Sequence, residues 1–118
     1  MFRLAIAAAA LLLAVPAAAQ APAFRTDGAA TATLAVTATS GRVQIQTASP
    51  GAPNARIFNA GASIVFVECG GVAVVATVAA SMPVAAGTVE VIGCQTSHLA
   101  AVTSTGTSTL YVTPGTGL

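Results

Sequence analysis

The sequence predicts an all-β protein, an antiparallel β-sandwich or jelly-roll-like fold of about eight short strands. Segments rich in Thr and Val alternate between polar and apolar residues with a period of two. Gly, Pro and Ser form turn signals at intervals of about 8–12 residues, the spacing of short antiparallel strands. The Ala/Val-rich stretches after residue 20 contain many β-branched residues, which favours strands over helices.

An apolar run precedes the strands. Arg3 is followed by twelve apolar residues, from Leu4 to Val15, and then by Pro16 and a small-residue stretch. This order is typical of a secretory signal peptide, and the run is shorter than the roughly 20 residues of a membrane-spanning helix. We predict a signal peptide over residues 1–19, with cleavage as late as residue 23. A membrane anchor or a start site placed too far upstream are the alternatives.

The first part of the predicted domain contains two strands. Residues 20–30 are predicted to form a flexible N-terminal arm, and residues 31–118 a single β-sandwich domain. Residues 31–39 alternate, with Thr31, Thr33, Thr37 and Thr39 on one face and Ala32, Leu34, Val36 and Ala38 on the other. Ser40 and Gly41 are typical of a turn, and residues 42–46 alternate again, so these two strands are predicted to form a hairpin.

The middle of the chain predicts three more strands. Residues 55–58 form a short strand, and residues 62–68 are apolar on both faces, as in a strand covered on both sides. Residues 72–79 have the same apolar character and follow the Gly70-Gly71 turn. A helix is the alternative for residues 72–79, but their β-branched density favours a strand.

The last third predicts three strands that end near the C-terminus. Residues 81–87 are predicted to be a loop, since Pro83 cannot donate a ladder hydrogen bond. Residues 88–92, 98–103 and 107–113 are the predicted strands, and Pro114 ends the last one.

Charged side chains are scarce. They are 6% of the 118 residues, and the chain contains no Lys. Beyond residue 19 the ionised side chains are Arg25, Arg42, Arg56, Asp27, Glu68 and Glu90, which balance to a net charge of zero. A nucleic-acid partner is therefore not expected, because it requires a basic face. The composition also excludes a disordered tail, which would be highly charged and poor in apolar residues.

The two cysteines are Cys69 and Cys94. An even number of cysteines behind an export signal favours a disulfide, and both residues lie beside a Gly at the end of a predicted strand. Two separate buried thiols are the alternative.

The sequence suggests no catalytic, cofactor or metal site. Cys94, His98 and Glu90 are near one another in the chain, but their spacing does not match a zinc site or a nucleophile pair. A Ser-His-Asp triad would have to use His98 and Asp27, and Asp27 falls in the predicted arm. Without Lys there is no phosphate-binding Gly loop, and no cofactor or small-molecule ligand is implied.

The outward faces of the Thr-rich strands are the candidate interaction surface. In the last strand Leu110 and Val112 are predicted to face inward, and the polar residues outward. The possible interface residues are Tyr111, Thr107, Thr109 and Thr113. Tyr is enriched at interfaces, whereas a Thr row is also an ordinary polar strand face. Phe58 and Phe66 are predicted to lie in the core.

From residue 24 onward the order of motifs resembles a known group of proteins. The segments "ARIFNAG", "SIVFVECG", "SMPVAAGTVEVI" and "TSHLAAVTSTGTSTLYVTPGTG" resemble small β-rich proteins encoded among the virion structural genes of tailed phages and prophages. The resemblance implies a β-sandwich and an accessory capsid or tail role without catalysis. The leader and the two cysteines depart from that group, which suggests an exported relative or a misplaced start.

These observations predict a non-enzymatic structural or assembly protein that acts by protein–protein contacts, with protein partners or self-assembly. The alternative is an exported periplasmic or cell-surface binding module stabilised by one disulfide. The protein is expected to be exported if the leader is genuine, and virion-bound or cytoplasmic if it is not. No stable membrane insertion is expected after cleavage.

Overall fold

The computed structural model describes residues 22–26, 30–47 and 51–118. The predicted signal peptide lies outside these ranges, as does part of the predicted arm. In the described residues the chain forms nine strands and no helix, which confirms the all-β class. The strands are β1 (Arg25–Thr26), β2 (Ala32–Val36), β3 (Gly41–Gln44), β4 (Asn54–Asn59), β5 (Val65–Gly70), β6 (Met82–Val84), β7 (Val89–Gly93), β8 (His98–Thr103) and β9 (Ser108–Thr116).

The strands form two antiparallel sheets, as the sequence predicts for a sandwich. Sheet A has five strands in the order β1-β9-β4-β7, with β2 also paired to β9. Sheet B has four strands in the order β3-β8-β5-β6. Part of the segment predicted as an N-terminal arm is paired in sheet A, since Arg25 lies opposite Thr116 in β9.

The core lies between the two sheets and follows the period-two pattern of the strands. In β9, Leu110 and Val112 are fully buried, whereas Tyr111 between them is exposed, as predicted. The buried core residues from both sheets are Val36, Ile45, Ala55, Ile57, Val65, Val67, Val84, Cys94, Leu99, Ala101, Leu110 and Val112.

One buried polar side chain connects the sheets at one end of the sandwich. Asn59 at the end of β4 is fully buried. Its Nδ2 donates to the carbonyl oxygens of Ser63 (2.9 Å) and Val84 (3.0 Å). Its Oδ1 accepts from the Gly61 N–H at 3.2 Å and from the Ser108 hydroxyl. Every polar atom of the side chain therefore has a partner, which is the condition under which burying it is tolerable.

A disulfide connects the sheets a second time. Cys69 at the end of β5 is bonded to Cys94 directly after β7, with their Cα atoms 5.7 Å apart. The predicted disulfide is confirmed, and the alternative of two free thiols is wrong. The bond closes a loop between residues 25 apart, worth about 3.5 kcal/mol in the loop-entropy description.

The predicted hairpin between β2 and β3 is wrong. β2 pairs with β9 in sheet A, and β3 pairs with β8 in sheet B. Between them the Thr37 side chain caps a bend with Thr39, and the Thr103 N–H donates to the Thr37 carbonyl at 2.9 Å. The chain thus crosses from one sheet to the other, and Leu34 and Val43 both pack against the core.

The predicted strand over residues 72–79 is also wrong. The backbone of this segment bonds locally and to side chains: the Ala76 N–H donates to the Ser40 hydroxyl at 2.9 Å, and the Thr77 N–H to the Ser81 hydroxyl at 2.9 Å. The segment crosses the outer face of sheet B instead of joining a ladder. Next to it, part of the loop predicted over residues 81–87 is the edge strand β6, in which Pro83 lies opposite Phe66.

Candidate interaction surface

The outer face of sheet A is built from alternate residues of four strands. The pairing registers place Thr33, Tyr111, Phe58 and Val89 in one row across β2, β9, β4 and β7. We call this outer surface the sheet A face. Its residues are Thr33, Ala35, Thr109, Tyr111, Thr113, Arg56, Phe58, Val89 and Val91. With strands about 4.8 Å apart, the row spans about 14 Å.

An aromatic pair occupies the centre of the sheet A face. Phe58 and Tyr111 lie directly opposite each other on β4 and β9, with ring centroids 6.2 Å apart and an interplanar angle of 21°. Tyr111 is 41% exposed, and so is Val89 at the end of the same row. Such a cross-strand aromatic pair stabilises its sheet by at most about 1 kcal/mol and leaves apolar ring surface in water.

The sheet A face is almost without charge. Arg56 is the only charged residue among its nine members, and it lies in the neighbouring row opposite Thr113 and Val91. The Thr113 hydroxyl is hydrogen-bonded to the Thr31 hydroxyl at 2.8 Å, so polar groups at this border are already partnered. A partner on this face would have few charges to desolvate.

The outer face of sheet B differs, because the chain itself covers it. We call residues 71–81 the cover segment. Within this segment Val74 and Ala76 pack against Phe66, Ala100 and Val102, a small second core on the outside of sheet B. The buried Ser81 connects the segment to the sheet by donating to Glu68 Oε2 at 3.0 Å. No segment of the described chain covers the sheet A face in this way.

The structure brings together most of the predicted interface residues. Thr109, Tyr111 and Thr113 lie on the sheet A face, and Thr107 is exposed in the loop before β9. Of the outward Thr residues predicted near the N-terminus, Thr33 joins the face. The row predicted there ends early, because the chain bends away from sheet A after Val36.

The predicted core position of Phe58 is wrong. Phe58 is half-buried and lies on the outer face of β4, opposite Tyr111. Period-two alternation from Ala55 and Ile57, which face inward, would have placed Phe58 outward. Phe66 lies beneath the cover segment, outside the main core.

The residues considered for chemistry do not converge. Cys94 is in the disulfide, Glu90 is exposed on β7, and the His98 Nδ1 is 2.8 Å from the hydroxyl of its neighbour Ser97. Asp27 lies outside the described residues. In the described part of the chain, no three His, Cys, Asp or Glu side chains are grouped as a metal site would require.

The described ranges contain no helix with the length and hydrophobicity needed to cross a membrane. Comparison of the chain with protein-family models, with curated proteins and with solved structures gave no match.

Proposed function

We propose that this protein is a non-enzymatic structural module that takes part in assembly through protein–protein contacts made by the sheet A face. The observation that carries the proposal is that paired strands place the Phe58–Tyr111 aromatic pair in one row with Val89 on an outer face that no described segment covers. Tyr111 and Val89 are each 41% exposed there. The cover segment on sheet B also exposes Val72 and Val75, but it contains no aromatic residue and forms no strand. Apolar surface that a fold leaves uncovered is typical of an interaction site.

The chemistry of the face fits this role. Interface cores are enriched in aromatic residues and Arg and depleted of Lys, Asp and Glu. The sheet A face has the Phe58–Tyr111 pair at its centre and Arg56 beside it. A rigid aromatic pair on two hydrogen-bonded strands loses little conformational freedom on binding, which favours it as the energetic centre of a contact.

The resemblance to accessory virion proteins of tailed phages suggests the setting of these contacts. A flat face with little charge suits repeated docking on a lattice of identical subunits, because neighbouring copies do not repel one another strongly. The balance of three Arg against three acidic residues beyond residue 19 supports the same role.

The proposal is tested by placing the photo-crosslinking amino acid benzoylphenylalanine at Tyr111 in the cells that make this protein. The matched control places it at Val72, which is 68% exposed on the cover segment. We expect protein adducts of defined mass from position 111 and none from position 72 after irradiation. No adduct at 111, or the same adducts at both positions, would overturn the proposal.

A second candidate function is an exported periplasmic or cell-surface binding module. The Cys69–Cys94 disulfide favours it, because such bonds persist in oxidising compartments. The test is the intact mass of the protein made in a Gram-negative host. Export predicts a mass lacking residues 1–19 and a gain of about 2 Da on reduction. A full-length mass without that gain would overturn this candidate.

A further inference from the structure

The edge strand β2 has backbone groups that point away from sheet A. The Ala60 N–H donates to the Thr109 carbonyl at 2.9 Å, so the backbone groups of Thr109 point toward β4. Because backbone groups alternate along a strand, the odd-numbered residues of β9 bond to β4 and the even-numbered residues bond to β2. Ala32, Leu34 and Val36 therefore bond to β9. The N–H and C=O groups of Thr33 and Ala35 point outward, and no described strand pairs with them.

The other three sheet edges each contain a feature that discourages pairing with another strand. β6 is only three residues long and contains Pro83. β3 includes Arg42, and β7 has Glu90 on the core side of the sheet, opposite the buried Ile57. Short edges, prolines and charges, above all charges that point inward, are the usual protection against edge-to-edge pairing.

β2 has none of these features. From Ala30 to Gly41 the sequence contains no charged residue and no Pro. Thr33 and Ala35, the residues with outward backbone groups, are both exposed. In the described structure β2 is thus a five-residue edge strand that offers free hydrogen-bonding groups with nothing to block them.

A groove opens beside this edge, between the start of β2 and the end of β3. Its volume is about 770 Å³, and its walls include Ala32 of β2, Gln44 at the end of β3 and Gln46 in the loop that follows. All its lining residues are uncharged. A chain that covers the groove would therefore not remove water from any charged side chain in its walls.

We infer that the β2 edge pairs with β2 of a second copy of this chain, antiparallel about a two-fold axis. Centred on Leu34, this register places Thr33 opposite Ala35 of the second copy, and each such pair exchanges two N–H···O bonds. Both residues have their backbone groups on the free edge, so the pairing uses only groups that the monomer leaves unbonded. The two copies of sheet A then form one continuous sheet, as in β-augmentation.

A second copy is the occupant that the edge itself favours. Two-fold pairing requires a self-complementary strand, and β2 has small uncharged side chains on its outer face that do not repel their own copies. The pairing also joins the two sheet A faces into one surface, in which the row from Val89 to Thr33 continues into Ala35 and Thr109 of the second copy. This inference rests on the proposed function for its role in assembly and adds the identity of one partner.

The pairing is expected to be weak in isolation. Five residues from each copy bury much less than the roughly 1,200 Å² of a stable interface. Association should therefore appear only toward high concentration, between about 10 μM and 1 mM. In an assembly, contacts with neighbouring subunits raise the local concentration of one β2 edge around another, so that a weak pairing is sufficient to form.

The test compares two proline variants by sedimentation equilibrium over that concentration range. Ala35→Pro removes an N–H on the free side of β2 without touching the bonds to β9. Arg42→Pro does the same on the free side of β3, because the bond from Ile45 N to Ser97 O (2.8 Å) turns the odd-numbered residues of β3 toward β8. The weight-average mass of the wild type and of Arg42→Pro should rise toward twice the monomer mass, whereas Ala35→Pro should remain monomeric.

Hydrogen exchange on the unmodified protein gives a second measurement if Ala35→Pro does not fold. Raising the concentration should slow exchange at the Thr33 and Ala35 amides and leave the Arg42 amide unchanged. A wild type that stays monomeric throughout, or an Ala35→Pro variant that associates as the wild type does, overturns the inference. Either result leaves the crosslinking outcome at Tyr111 unaffected, so the proposed function and this inference fail separately.

Discussion

Replacing Asn59 by Ala should destabilise the protein far more than the same replacement on the same strand at Asn54. The Asn59 side chain is fully buried and takes part in four hydrogen bonds. Without it, the Val84 carbonyl and the Ser108 hydroxyl are left in the interior without these bonds. Each orphaned buried group costs about 1–3 kcal/mol, and a cavity adds to this, so the expected loss is about 3–5 kcal/mol.

Asn54 is a matched control at the other end of β4. Its side chain is half-buried and donates one hydrogen bond, to the Gly117 carbonyl at 2.8 Å. Asn54→Ala should cost about 1 kcal/mol, the net contribution of one such bond. The difference between the two variants therefore isolates the buried network from the general effect of removing an Asn side chain.

Urea unfolding of the oxidised protein, followed by circular dichroism, is the assay. With a slope of about 1–3 kcal/mol per M, the loss predicted for Asn59→Ala lowers the midpoint by more than about 1 M. Combining Asn59→Ala with Ser108→Ala should cost less than the sum of the single changes, because both remove the same bond. Equal losses for Asn59→Ala and Asn54→Ala would refute the reasoning.

Two further predictions concern covalent and steric constraints. Reducing the Cys69–Cys94 disulfide should lower the free energy of unfolding by about 3.5 kcal/mol, measured by urea unfolding with and without dithiothreitol; an unchanged midpoint would contradict the loop-entropy argument. Gly61→Ala should cost about 2–3 kcal/mol in thermal unfolding, because the added Cβ would lie 1.9 Å from the Ser108 Oγ. Gly71→Ala, whose Cβ would meet nothing within 4 Å, should leave the midpoint nearly unchanged, and equal effects of the two would refute the steric argument.

The sequence predicts the strands well where one face of the strand is buried and the other is exposed to solvent. In β9, Leu110 and Val112 alternate with Tyr111, and the structure confirms both orientations. The disulfide was predictable on other grounds, namely the even number of cysteines and their positions beside Gly70 and Gly93 near the ends of strands. Strand orientation depends on local alternation, and a disulfide depends on the number and placement of cysteines, and both can be read from a single sequence.

Strand pairing was not predictable from the same signals. Ser40-Gly41 has the composition of a hairpin turn, yet the chain changes sheets there, because β9 and β8 provide the partners of β2 and β3. Both partners lie more than 50 residues further along the chain. A turn signal therefore identifies where the chain bends and leaves its next partner undetermined.

The cover segment shows how an apolar run can be misassigned. Residues 72–79 have strand composition, but their apolar side chains serve to cover the outside of sheet B, with Val74 and Ala76 facing the sheet. Val72 and Val75 remain exposed at 68% and 59%. The composition indicates that such a segment has apolar side chains to bury. It does not indicate whether the segment buries them as a strand in a sheet or as a loop packed on the outside of one.

The sheet A face was predictable only in part, because its residues are brought together by the pairing of four strands that are distant in the sequence. Tyr111 and its Thr neighbours follow from the alternation in β9 alone. Thr33, Phe58 and Val89 join them through three separate registers between distant segments. No local pattern places these four residues in one row, so the aromatic pair at the centre of the surface required the structure.

The interactions that hold the two sheets together lie inside the sandwich and leave the sheet A face uncovered. The Asn59 network and the Cys69–Cys94 disulfide each connect sheet A to sheet B, and the core lies between them. None of these stabilising features uses the outer surface around Tyr111 and Val89. Exposed apolar groups there contribute little to folding and favour association between molecules. The free edge of β2 belongs to the same sheet, so the exposed aromatic pair and the unprotected strand edge lie together. The edges of sheet B, by contrast, contain Pro83 in β6 and Arg42 in β3. This arrangement is the one expected if sheet A makes the contacts proposed for assembly.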